Sequence, residues 1–170
     1  MNNGQMLITI AAMTLLSIVI VNVNRNSLTN TVSMEKAKYE IVAIALANAL
    51  IEEAGSKAFD EETANNNIVT DASQLSTSMG KEAGENYRKD FDDFDDYNGY
   101  KENTSGDSTL ISAVFKLSCK VNYVDPFVSL DSVNYKTYHK RIVVTVTSDY
   151  LNENQDTVKL SKINSHFYFR

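Results

Sequence analysis

The stretch "DFDDFDDYNGY", residues 90 to 100, places five carboxylates in seven consecutive positions: Asp90, Asp92, Asp93, Asp95 and Asp96. Like charges at this density repel at neutral pH unless water solvates them or a cation bridges them, and hard oxygen ligands suit calcium. Asp92, Asp93, Asp95 and Asp96 are therefore calcium candidates. Their spacing does not fit the EF-hand loop. Phe91, Phe94 and Tyr97 between them suggest instead a turn whose rings dock on a core. The first expectation is a solvated loop, acids outward and rings inward, with the calcium site as its alternative; no cofactor is expected.

The remaining reactive side chains form no catalytic constellation. His139 and His166 are the chain's two histidines, and they stand in or beside strand patterns, with Tyr138, Lys140, Ser165 and Phe167 as neighbours. A surface position is expected for each in preference to acid–base work. The patterns G-x-S-x-G, H-E-x-x-H and G-x-x-x-x-G-K-[ST] are missing, so the chain is not expected to be an enzyme. The single cysteine, Cys119, excludes an intramolecular disulfide. It falls in the alternation Ala113, Phe115, Leu117, Cys119, Val121, Tyr123, the pattern of a strand's buried face, where a small thiol packs as a hydrophobe. "NTS" at Asn103 matches a glycosylation sequon, a three-residue pattern too common to carry weight.

Charge narrows the partners. The formal net charge is −6, and from Glu35 to Asp107 acids outnumber bases by ten, whereas the segment after Ser108 is mildly basic. The basic footprint that nucleic acid requires is missing, and no nucleic-acid partner is expected.

These residues need elements to hold them. A chain of 170 residues, 43% hydrophobic, can bury one sizeable core and carry an appendage. "STLISAVFKLSCKVNYV" alternates as a half-buried strand, "HKRIVVTVTSDYL" does so around Ile142, Val144 and Val146, and "DTVKLSKINSHFYFR" is the last strand, with "DPF" and "LNENQD" as turns. Lys116, Lys120 and Arg141 occupy the opposite parity, as a wet outer face requires. In the last strand Phe167 and Phe169 are expected inward, with a bulge separating them from Val158 and Leu160 on the other parity. Residues 60–107 form a polar, acidic connection with a short helix near Glu85 to Asp90.

The N-terminal third is helical throughout. Met6 to Val23 is apolar apart from Thr9, Thr14, Ser17 and Asn22, just long enough to span a bilayer. No proline interrupts the chain from there to Phe59, and Leu28, Val32, Tyr39, Val42, Leu46, Leu50 and Ala54 recur at helical spacing. One helix from about Gln5 to Phe59 would be apolar all round in its first half, 5–27, and amphipathic in its second, 28–59. The stripe from Tyr39 to Ala58 is the natural cover for the dry face of a sheet formed by 108–170. The expected fold class is α+β: a long N-terminal helix packed on an antiparallel sheet of about four strands.

This arrangement resembles the type IV pilins and the related pseudopilins of type II secretion. The resemblance is carried by "MNNG" standing directly before the apolar run and by the uninterrupted helix pattern of the first 59 residues. The acidic segment also looks like the Asp-Asp-x-Asp-Asp-aromatic-x-Gly stretch of some mannose-sensitive-haemagglutinin-type pilins. The likeness implies a leader of residues 1–4, processing between Gly4 and Gln5 by a prepilin peptidase, and residence in the inner membrane as a precursor. It then implies transfer by the pilus assembly machinery into a cell-surface filament whose partner is the chain itself. Leu7, Ile8, Thr9, Leu15, Leu16 and Ile20 would be the assembly residues, with Thr9 where the family commonly has Glu. The function so implied is that of a structural filament subunit with roles in adhesion or motility. A minor pilin or pseudopilin of a secretion or DNA-uptake system shares the fold, and a single-pass anchored periplasmic binding module is the rival of another class.

Overall fold

The computed structural model describes residues 2–106, 113–151 and 157–167. Helix α1 runs from Asn3 to Gly55, 53 residues, or about 80 Å at roughly 1.5 Å per residue. Its interior holds no proline, and no glycine falls between Gly4 and Gly55, so nothing withdraws an amide donor or loosens the backbone. The chain forms two compact units, Met1–Lys38 and Tyr39–Arg170. The first unit is helical from Asn3 onward, and every described residue from Asn2 to Glu35 is exposed. It contains an 18-residue window apolar and long enough to cross a membrane. Leu28 and Val32, which precede the stripe from Tyr39 expected to cover the sheet, are exposed with the rest.

In the second unit α1 buries Ala43, Ala47, Leu50, Ile51 and Ala54, three and four residues apart, as one helical face requires. This face packs against a five-stranded antiparallel sheet. The strands are β1 (Lys101–Asn103), β2 (Lys116–Asp125), β3 (Ser129–Ser132), β4 (His139–Thr147) and β5 (Thr157–Ser165). Their order is β1-β2-β4-β5, with β3 pairing β2. The α+β architecture is the one the sequence pattern predicts; the short strands β1 and β3 bring the count to five. Alternation along β2 buries Leu117, Cys119, Val121 and Tyr123, and along β4 it buries Lys140, Ile142, Val144 and Val146.

β5 corrects the expected parity. Its pairing with β4 runs unbroken from His139↔Ser165 to Thr147↔Thr157, with no bulge. Val158 and Leu160 pack against the core, because they oppose Val146 and Val144 in register. Phe167 lies past the end of the strand and is 68% exposed, while Phe169 is outside the described residues.

The helix also ends earlier than its period suggests, at Gly55 in place of Phe59. The backbone of Ala58 is taken by another segment: its N–H donates to Asp92 O at 3.1 Å and its carbonyl accepts from Phe94 N at 2.9 Å. These two bonds tie the acidic segment to the helix end. Phe91, Phe94 and Tyr97 enter the same core cluster as Leu50, Phe115 and Val144. Between Gly55 and β1 lie the short helix α2 (Glu61–Ala64) and single 3-10 turns at Ala72–Gln74, Arg88–Asp90 and Asp95–Tyr97. The helix expected near Glu85 to Asp90 is one such turn.

Candidate functional site

Two surfaces carry the candidate residues. On α1, Gly4 and Gln5 lie in the first turn, where Gln5 N donates to Asn2 O at 2.9 Å. Leu7, Ile8, Leu15, Leu16 and Ile20 are 51 to 71% exposed. Helical period places Thr9, Leu16 and Ile20, at i, i+7 and i+11, on one face and Ile8 with Leu15 on the next. The Thr9 hydroxyl donates to Met6 O at 2.9 Å, so its proton is used within the helix and its oxygen is left to accept.

The second surface is internal. Lys140 is fully buried. Its Nζ donates to Asp60 Oδ2 at 2.7 Å, to Phe59 O at 3.0 Å and to Asp95 Oδ1. The ammonium also faces the rings of Phe59 and Tyr123, 4.8 and 5.5 Å from their centroids, where ring quadrupoles attract a desolvated cation. Burial pushes the Asp60 carboxyl up, but the charge and hydrogen bond of Lys140, with two bonds from Ser76, outweigh it and hold the group below its ordinary value. Sequence reasoning missed Lys140. Its parity with Ile142, Val144 and Val146 was the available signal.

The acidic turn is corrected by burial. Asp93, Asp95 and Asp96 are at most 1% exposed, and of the four calcium candidates Asp92 alone is exposed. The solvated loop is therefore not what forms. Phe91, Phe94 and Tyr97 are anchored so deeply that they draw the intervening acids in with them. Asp93 and Asp96 then each commit one oxygen locally. Asp93 Oδ1 accepts from Asp95 N and Asp96 N at 2.8 and 3.1 Å. Asp96 Oδ2 accepts from Asp92 N and Asp93 N at 3.0 and 3.1 Å. The reciprocal caps explain the doubled Asp pairs, since carboxylates three apart can each satisfy the other's backbone. The second oxygens of Asp93, Asp95 and Asp96 are buried with no hydrogen-bond partner. Burial, reinforced by the charges of Asp95 and Asp96, pushes the Asp93 carboxyl up to about 9.

Asp96 is joined by two acids that sequence reasoning passed over. Glu82, Glu85 and Asp96 each place a carboxylate oxygen within 4.8 Å of the others. Gly84 makes the loop possible: its φ of +119° is a left-handed conformation that costs glycine little, and it turns the chain between the two glutamates. Glu85 Oε2 accepts from Glu82 N at 2.9 Å, while Glu82 Oε2 is buried without a partner. Burial first, then Asp96, pushes the Glu82 carboxyl up to about 8. Glu85 is raised for the same two causes. The E-x-x-E spacing around a loop glycine was the only local hint. What joins it to Asp96 is tertiary.

The other reactive groups take structural places. His139 Nδ1 lies 2.7 Å from Ser165 Oγ, and the His166 ring packs beside Phe59 and Tyr138, so both are half-buried rather than free on the surface. Cys119 is buried, and desolvation pushes its thiol up to about 12. Arg88 donates through Nε to both carboxylate oxygens of Glu53 at 2.9 and 3.0 Å and through Nη1 to Glu102 at 2.8 Å. Glu53 also accepts from Tyr97 Oη at 2.9 Å, which locks the acidic turn to α1. No protein-family model, curated protein or solved structure matches the chain.

Proposed function

We propose that this chain is the structural subunit of a pilin-like surface filament, held in the inner membrane by Met6 to Val23 and then polymerised through that same helix half. The observation that carries the reading is the division of labour along one continuous helix. Ala43 to Ala54 are seated on the chain's own sheet, whereas Met6 to Val23 are apolar on every side and exposed. An apolar surface of this size needs lipid, partners, or each in turn. Burying it among copies of itself removes on the order of 1,500 Å² per subunit, or tens of kcal/mol gross at ~25 cal/mol/Å². That exceeds an association cost of roughly 4 to 15 kcal/mol, although the part already out of water in lipid is not gained twice. The membrane, the assembly machinery, a prepilin peptidase acting between Gly4 and Gln5, and the chain itself are the proposed partners. No catalytic step is assigned to it.

Negative-stain microscopy of material sheared from the cell surface, with mass spectrometry of the subunit, tests the reading. Filaments built of chains that start at Gln5 are expected. A chain that stays in the membrane fraction with Met1 intact and forms no filament would instead be the single-pass anchored module.

A further inference from the structure

We propose that Glu82, Glu85 and Asp96 together bind one divalent cation, calcium in preference to magnesium, which fastens the Gly84 loop to the acidic turn at the end of α1. The oxygens lie within 4.8 Å of one another, a separation that calcium, bonding at about 2.3–2.6 Å, can bridge. Asp96 supplies the second observation. It is 1% exposed, its Oδ2 is occupied by two backbone N–H groups, its Oδ1 is buried without a hydrogen-bond partner, and one of its oxygens lies within 4.8 Å of those of the two glutamates. Glu82 Oε2 is buried and unpartnered as well.

Among the described residues no ion pair supplies the missing charge, although Lys81 and Lys101 line the same cleft as Asp96. The ion pairs of Arg88, Lys140 and Lys162 go to Glu53, Glu102, Asp60, Asp95 and Glu52, and none of them reaches Glu82, Glu85 or Asp96. Lys140 is already held between Asp60 and Asp95. One buried and two half-buried carboxylates with unpartnered oxygens and mutual repulsion are a coordination set for a hard cation. Magnesium fits less well because it keeps several of its waters and resists an all-protein carboxylate site. The inference concerns the folded unit Tyr39–Arg170 and is independent of polymerisation.

The test is direct metal binding by the full-length chain in non-ionic detergent, with calcium chloride or magnesium chloride as the probe. After chelation and dialysis against calcium at about 2 mM, above the dissociation constants typical of extracellular calcium modules, atomic emission should count one calcium per chain. Magnesium at the same concentration should leave less than one. Glu82→Gln and Glu85→Gln preserve shape, remove one ligand charge each, and should weaken calcium binding at least tenfold while far-UV circular dichroism stays unchanged. Wild-type protein that retains no calcium would overturn the site, whatever the variants do. So would folded glutamine variants that bind calcium as tightly as wild type, because the ion would then be elsewhere on this acidic chain.

Discussion

Replacing Lys140 by methionine isolates the most consequential buried interaction. The side chain is fully buried on β4, and methionine fills most of its volume, so the change removes charge and hydrogen bonds with little cavity. Asp60 and Asp95 then lose their shared cation, and Phe59 O loses a donor. Removing one partner of a buried pair costs about 3–5 kcal/mol, because the survivor is left charged in a poor solvent. For a unit of roughly 130 residues, the entropy of unfolding converts each kcal/mol into about 3 to 4 °C. The expected drop in thermal midpoint is therefore roughly 10 to 18 °C at pH 7. The loss should shrink as pH falls, because burial already raises the Asp95 carboxyl and its protonated form needs no counter-ion. Adding Asp60→Asn to Lys140→Met should recover part of the loss, since the pair is then removed from both sides. Differential scanning calorimetry of the full chain in detergent, at fixed divalent concentration, is the assay. A drop of less than about 3 °C, or a double variant that loses the sum of the two single losses, would refute the reasoning.

Acid should weaken the fold through identifiable groups. Glu53 is held below its ordinary 4.5, first by its hydrogen bond from Arg88, and Asp60 below 3.8 by Lys140 and Ser76 against the opposing effect of burial. A depressed carboxylate contributes stability that is complete above its unfolded value and lost as pH falls through the folded one. Glu53→Gln and Asp60→Asn should accordingly lower the midpoint at pH 6 and flatten its fall between about pH 5 and 3; an unaltered slope would exclude these groups. In filament assembly, the shape of the Leu16 face should matter more than the Thr9 hydroxyl, whose proton already serves Met6 O. Leu16→Ala is expected to reduce sheared filament yield and Thr9→Val to leave it near wild type, so the reverse result would remove the shape argument.

Local periodicity by itself determined the long helix and the strands β2, β4 and β5. A proline-free run, apolar and then spaced by three and four, marked one long helix expected to reach Phe59 and ending at Gly55, and alternation made β2 and β4 with Cys119 and Val144 inward, because each repeat is a direct consequence of backbone geometry. The same alternation marked Lys140 as inward, a position a charge can hold only when partners arrive from elsewhere. Those partners come from Asp60, just past α1, and Asp95, in the acidic turn, and no window of sequence contains all three. Tertiary structure likewise decided that Asp93 and Asp96 are buried, since the anchoring of Phe94 and Tyr97 overrode the local preference of acids for water. It decided the parity of β5, where register against Val144 and Val146 outweighed the aromatic cue of Phe167. It also brought Glu82 and Glu85 to Asp96 across a glycine turn. Period depends on bonds between neighbours, whereas the environment of a charge depends on which distant segments the core draws together, and only the folded chain specifies those.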